Sequence, residues 1–173
     1  MVRTIESDLI TDKQFDIFCH QVNCHGAMGS GIAARIKKAY PEVYDAYRQN
    51  YLVNDEHPEC QLGTNLLVNT SDGRVCVNMY GQNKYGTGAQ FTEYPALAEC
   101  MLDLIERLAT MDAHLKVGFP DHIGCGLAGG NWLTVEGMIE VFADRVAQDV
   151  YIVKLKGQQD DEEENTGGSS ATR

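Results

Sequence analysis

The 173-residue sequence has no apolar run approaching the roughly 20 residues needed to span a bilayer. Its opening stretch, Met1 to Ile10, carries Arg3, Glu6 and Asp8 where a secretory signal would need an apolar segment, so a cytoplasmic location is expected. Basic residues are scarce: Lys and Arg number 14 against 25 Asp and Glu, a formal net charge of −11. That deficit excludes an extended nucleic-acid surface, which needs concentrated Lys and Arg, and equally a surface steered to anionic membranes. None of the six cysteines forms a CxxC pair, and their scatter does not suggest a disulfide framework. A reducing compartment suits them, most as small buried hydrophobes. No internal repeat is found, and no Gly-Lys-Ser/Thr of a Walker A loop follows either of the glycine-rich segments discussed below.

What is present describes one domain. Hydrophobic residues make up 43% of the chain, an ordinary globular fraction. The stretch from Gln158 onward carries −4, with five consecutive acids from Asp160 to Glu164, and leaves −7 on residues 1–157. A domain over residues 1–156 and a disordered acidic tail over 157–173 are therefore expected, because the tail lacks apolar anchors. Any anionic ligand must be held by a local site against the field of the whole protein.

Periodicity predicts strands over Val2 to Glu6 and over Phe15 to Val22, the second apolar on both faces and so interior. A helix follows over about Ser30 to Ala39, and Pro41 opens another at its tolerated first position. Residues 54–63 read as loop. Asn65 to Asn69 and Val75 to Tyr80 read as a hairpin around Ser71-Asp72-Gly73. A second loop spans Gly81 to Gln90. A long helix runs from near Pro95 to about Met111, with Leu97, Met101, Leu104, Ile105 and Leu108 on its inner face. A strand from Lys116 to Phe119 leads into Ile123 to Gly130. Thr134 is then expected to cap a helix with Val135, Met138, Ile139, Phe142 and Val146 inward, and Val150 to Leu155 closes as a strand. This order gives an α/β fold with a mixed central sheet covered on both faces.

Two glycine-rich segments, Asn23 to Gly31 and Gly124 to Gly130, each follow a strand and precede a helix. Glycine lets the backbone approach a ligand closely, and the free N–H groups of a helix start favour an anion. Two such loops at the carboxyl ends of strands can grip a diphosphate from both sides. Glycine-rich turns can also serve tight packing alone. Neither segment reads as a dinucleotide fingerprint; Gly26, Gly29 and Gly31 have the wrong spacing.

His20-Gln21-Val22-Asn23-Cys24-His25-Gly26-Ala27-Met28-Gly29-Ser30-Gly31-Ile32-Ala33 resembles the first ligand loop of macrodomains. The similarity is closest to the small phage and bacterial members called ADP-ribose 1″-phosphate phosphatases. Asn78-Met79-Tyr80-Gly81-Gln82 with Tyr85-Gly86, and Ile123 to Trp132, resemble the middle segment and second phosphate loop of that subgroup. Together the segments cover the chain from about Val2 to Leu155 and imply a three-layer α/β/α fold that binds ADP-ribose or a derivative. The resemblance makes Asp8, with Leu9 beside it, the acceptor for the adenine amino group. It places Asn23 beside the distal ribose. Met28, Gly29, Ser30, Gly31, Ile32 and Ala33 face Ile123, Gly124, Cys125, Gly126, Leu127, Ala128 and Gly129 across the diphosphate, and Gln82 joins the ligand contacts. Asp8 and Asn23 read equally well as turn residues.

His20 matches a histidine linked to catalysis in the phosphatase subgroup, although on a buried-looking strand it reads equally as structural. His25 stands where relatives carry Gln or Asn, and can meet the distal ribose or be an exposed loop residue. Asp121 and His122 can reach the ligand or only cap a turn. The glycohydrolase branch of the family uses a lysine and an aspartate after the GCGL segment; here that position is Ala128, and Lys84 does not align to the lysine. Zinc on His20, Cys24, His25, His122 and Cys125 matches no standard spacing, so neither metal nor cofactor is expected. The implied function is a hydrolase of ADP-ribose 1″-phosphate or a related conjugate, acting as a monomer. The alternatives are a non-catalytic ADP-ribose reader and an ADP-ribosyl glycohydrolase acting on protein or nucleic acid.

Overall fold

The computed structural model describes residues 1–157, so the expected acidic tail lies outside the described residues except for Gly157. The elements are β1 (Val2–Glu6), β2 (Ile17–Asn23), α1 (Gly31–Ala39), α2 (Pro41–Val53), a 3-10 turn (Pro58–Gln61), β3 (Asn65–Asn69), β4 (Val75–Gln82), α3 (Tyr94–Leu108), β5 (Lys116–Pro120), α4 (Trp132–Ala143) and β6 (Asp149–Lys154). The six strands form one sheet in the order β1-β6-β5-β2-β4-β3. All neighbours pair in parallel except β3, the antiparallel edge that the hairpin demands.

Alternation along β2 feeds two cores. Ile17 and Cys19 point to the face where α3 and α4 bury Leu97, Leu104, Ile139 and Phe142. Phe18 and Val22 point to the opposite face, under Ile36 of α1 and Val43 and Tyr47 of α2. The fold is thus the three-layer α/β/α arrangement.

Several boundaries differ from the sequence reading for local reasons. β2 begins at Ile17, because Asp12 accepts from the Gln14 amide and holds residues 12–14 in a turn. Asp16 then accepts from the Lys116 amide and ties the start of β2 to that of β5. The segment 54–63 contains a 3-10 turn opened by Pro58. α3 stops at Leu108, with turn hydrogen bonds carrying the chain through Met111. The cap of α4 is Asn131, whose side chain accepts from the Thr134 amide. Thr134 is therefore the capped donor, and Val146 packs on the core from beyond the helix.

Five parallel strands share one direction, so their carboxyl ends open on one edge of the sheet. That edge is where ligands of open α/β sheets bind.

Candidate functional site

A cleft of about 700 Å³ runs along this edge, bordered by residues that follow β1, β2, β4, β5 and β6. Its ends are set by the strand order. Ser7, Leu9, Val153 and Leu155 border it on the β1–β6 side, and Asn23, Gln82, Tyr85 and Thr87 on the β2–β4 side.

The first loop is tied down at Asn23, which is nearly buried yet borders the cleft. Its side chain accepts from the His25 and Ala27 amides and donates to the Ala27 carbonyl at 2.8 Å. Tyr47 donates to the Asn23 oxygens at 2.6 and 2.9 Å. Asn23 thus holds the turn and also faces the site. Gly29, Ser30, Gly31, Ile32 and Ala33 border the cleft. Ser30, the N-cap of α1, is extended and makes no side-chain cap, and the first turn has no acid, while Lys37 and Lys38 occupy the last turn. The positive end of α1 therefore reaches the cleft with no side chain of its own helix closing it.

The second loop is held from outside. Thr92 donates through Oγ1 to the Gly124 carbonyl at 2.5 Å, and the Phe91 and Thr92 amides donate to the Ala128 carbonyl. The Gly130 amide closes a ring onto the Gly124 carbonyl. Gly124 has φ +70, and a Cβ there would stand 2.7 Å from Gln21 Oε1. Gln21 in turn donates to Gln82 and Thr92 at 2.8 Å each, a polar floor reaching the cleft. Gly124, Gly126 and Gly129 do carry GxGxxG spacing, which corrects the reading given above. The helix that the fingerprint needs starts only at Trp132, with Asn131 already capping it.

Ile123, Gly124, Gly126, Leu127 and Ala128 border the cleft, as do Leu9 and Gln82. Met28, Cys125 and Gly129 do not. Met28 is core, the Cys125 thiol turns back to the Ile123 carbonyl, and Gly129 lies against the backbone of Ala89. Asp8 stands just behind the cleft wall. Its Oδ1 accepts from the Ile10 amide at 3.0 Å and its Oδ2 pairs with Arg35 at 2.5 Å. Burial opposes ionisation there but is outweighed by these bonds, which leave the carboxyl below its usual range. Arg35, which the sequence reading missed, borders the cleft itself.

His20 is sealed from solvent. It is 0% exposed and sits on the α1–α2 side of β2, where its Nε2 donates to Asn78 Oδ1 at 2.6 Å. The Asn78 amide is spent on the Leu66 carbonyl, so the imidazole proton lies on Nε2. Burial pushes the ring down to about 4, partly offset by Asn78. His20 does not border the cleft. His25 faces Tyr51, with ring centroids 6.4 Å apart, and Lys84 is exposed; neither borders the cleft. Among the described residues no group of three His, Cys, Asp or Glu side chains is placed to hold a metal ion. Asp121 and His122 do border the cleft, together with Gln21, Val22, Ala27, Gly86 and Pro120. Each of these lies at or just beyond a strand end or in a neighbouring loop, the one sequence signal that could have found them.

The family model described as Macro domain matches residues 19–139. The chain belongs to the macrodomain family. A relative from Debaryomyces hansenii named ADP-ribose 1″-phosphate phosphatase is 33% identical over 180 aligned residues, covering 88% of this chain and 99% of its own. Among solved structures, the macrodomain of Mycobacterium tuberculosis DarG superposes with a TM-score of 0.74 at 23% identity, covering 91% of this chain and 99% of the other. Thermosipho africanus DarTG in complex with ADP-ribose superposes with a TM-score of 0.72 at 17% identity, covering 91% of this macrodomain and 43% of that chain. Both superpositions establish the fold. Among the described residues no helix is long and apolar enough to cross a membrane.

Proposed function

We propose that this macrodomain binds ADP-ribose and hydrolyses ADP-ribose 1″-phosphate or a related conjugate. The observation that carries the reading is the free start of α1 opposite the Gly124–Gly130 ring, across a cleft of nucleotide size. Backbone dipoles there can hold a diphosphate on an acidic protein without a cluster of basic side chains. The relative named as the phosphatase supports the substrate class.

Adenine lies on the β1–β6 side, near Leu9, Val153 and Leu155, with Asp8 behind them. The distal ribose lies on the β2–β4 side, near Asn23 and Gln82. That end offers amides and hydroxyls (Gln21, Asn23, Gln82, Tyr85, Thr87) and, among the described residues, no carboxylate. Chemistry there consists of orienting water against the terminal phosphorus: the new P–O bond forms, the bond to the anomeric oxygen breaks, and ADP-ribose and phosphate leave. The proton the water gives up passes, through the substrate's own phosphate oxygens, to the departing anomeric oxygen. His20 acts indirectly, by locking β2 to β4 beneath the site. Six free cysteines suit a reducing cytoplasm, and a cleft built wholly by one chain suits a monomer.

Calorimetry with ADP-ribose followed by phosphate release from ADP-ribose 1″-phosphate tests both halves. No heat and no thermal shift at millimolar ADP-ribose removes the binding assignment. Binding without phosphate release leaves a reader of ADP-ribose, and release of ADP-ribose from modified protein or DNA instead moves the assignment to a glycohydrolase.

A further inference from the structure

The Asp121–His122 pair has no part in the reading above. It follows β5, in the middle of the cleft, and both residues border it. His122 is the only non-glycine among the described residues with positive φ, at 55°. Such a backbone persists only where its surroundings enforce it. The ring is flanked on both sides: Nδ1 lies 2.9 Å from Asp121 Oδ2, and the plane stacks on Trp132 with centroids 4.7 Å apart at 20°. The Asp121 amide donates to the Val153 carbonyl, which ties the pair to the end of β6. The Asp121 side chain is 13% exposed and is therefore held in place.

Strand order says what this pair meets. Neighbouring strands lie about 4.8 Å apart. With the base on the β1–β6 side and the diphosphate between the loops after β5 and β2, the adenosine-side ribose falls at the β6–β5 junction. We infer that Asp121, oriented by His122, accepts hydrogen bonds from the hydroxyls of that ribose and thereby selects ADP-ribose over ligands phosphorylated there. This rests on the ADP-ribose reading. A carboxylate only accepts, so it suits a hydroxyl donor and repels a phosphate brought to the same place. Arg35 is the only Lys or Arg among the described residues bordering the cleft, and Asp8 already holds it at 2.5 Å.

The test measures affinities of the full chain at pH 8 for ADP-ribose and for its 2′-phosphate. The wild type prefers ADP-ribose by at least about tenfold, the scale of one hydrogen bond to a charged group. Asp121→Asn keeps the shape, removes the charge and brings the ratio within about threefold. His122→Gly accommodates the positive φ, releases Asp121 and lowers the ratio without lowering the thermal midpoint, which separates it from a folding defect. Equal affinity of the wild type for both ligands, or an unchanged ratio in Asp121→Asn, overturns the assignment while ADP-ribose binding stands. A wild type that binds neither ligand overturns the ADP-ribose reading and this one with it. Should Asp121→Asn fail to fold, the wild-type ratio and His122→Gly decide.

Discussion

At Asn23–Gly31 the chain leaves β2, is turned by one asparagine side chain and enters α1 with the helix start uncapped. At Ile123–Gly130 it leaves β5, closes a ring on its own carbonyl and reaches α4 only after Asn131 has capped that helix. The first loop presents the end of a helix; the second presents a rigid rim held by Thr92 and Phe91. Their floors differ too. Beneath the first lies the sealed His20–Asn78 pair, while the second rests on Gln21, which reaches the cleft. Glycine content is therefore a poor guide to role. One loop uses it to leave backbone dipoles open to a ligand, the other to let two backbones touch.

The largest effect should come from adding a methyl to the second loop. A Cβ at Gly129, which has φ +69, would stand 2.7 Å from the Ala89 carbonyl oxygen. Backbone there cannot swing aside as a side-chain tip can. Gly129→Ala should cost about 3 kcal/mol or more, from left-handed strain plus the clash. Gly31 has φ +55 but open space around the added atom, so Gly31→Ala should cost about 1 kcal/mol. Chemical denaturation of the two variants compares them directly, and equal losses would erase the distinction between a packed rim and an open helix start.

The buried floor of the first loop should show itself in pH dependence. His20 is held down to about 4 in the folded chain, against an unfolded value near 6.5. Between those values the unfolded state binds the extra proton, so stability is fully present above about pH 6.5 and falls as pH drops toward about 4. The loss then stops growing, at a few kcal/mol. His20→Gln should flatten that slope in denaturation midpoints taken between pH 6.5 and 4.5. A slope unchanged by the substitution would mean that other groups carry it and that the imidazole is not sealed.

Sequence reasoning reached the strand and helix order because periodicity reports which face is buried, as at Leu97, Met101, Leu104 and Leu108. It reached the cleft because both loops follow parallel strands. It missed what depends on distant partners. His20 is kept neutral by burial and is bonded to Asn78 across the sheet, and Asp8 is paired with Arg35 from α1. Nothing local to either residue encodes that partner. The cap of α4 was misplaced by three residues because Asn131 and Thr134 are both good capping types, and only their hydrogen bond tells donor from acceptor.

An acid at Ser30 would turn the first helix start into a copy of the second. Ser30→Asp supplies the missing cap to α1 and a negative charge at its positive end, which should stabilise the fold by roughly 0.5–1 kcal/mol. The same carboxylate occupies the place of the diphosphate, so ADP-ribose affinity should fall at least about tenfold. Stability and binding are thus predicted to move in opposite directions, in a thermal melt and a titration of one preparation. A variant that is stabilised yet binds unchanged would mean that the diphosphate does not sit at α1.

Asn131→Ala makes the converse change and the smallest. It strips the α4 cap, exposing the Thr134 amide at a helix start that does not border the cleft. The loss should be about 1 kcal/mol in stability, the ordinary worth of an N-cap. Affinity for ADP-ribose should stay within about twofold, because the ring from Gly124 to Gly130 is held by Thr92 and Phe91 and not by Asn131. Were affinity to fall as far as in Ser30→Asp, α4 would be contributing its dipole through the ring, and the two loops would be one kind of site after all.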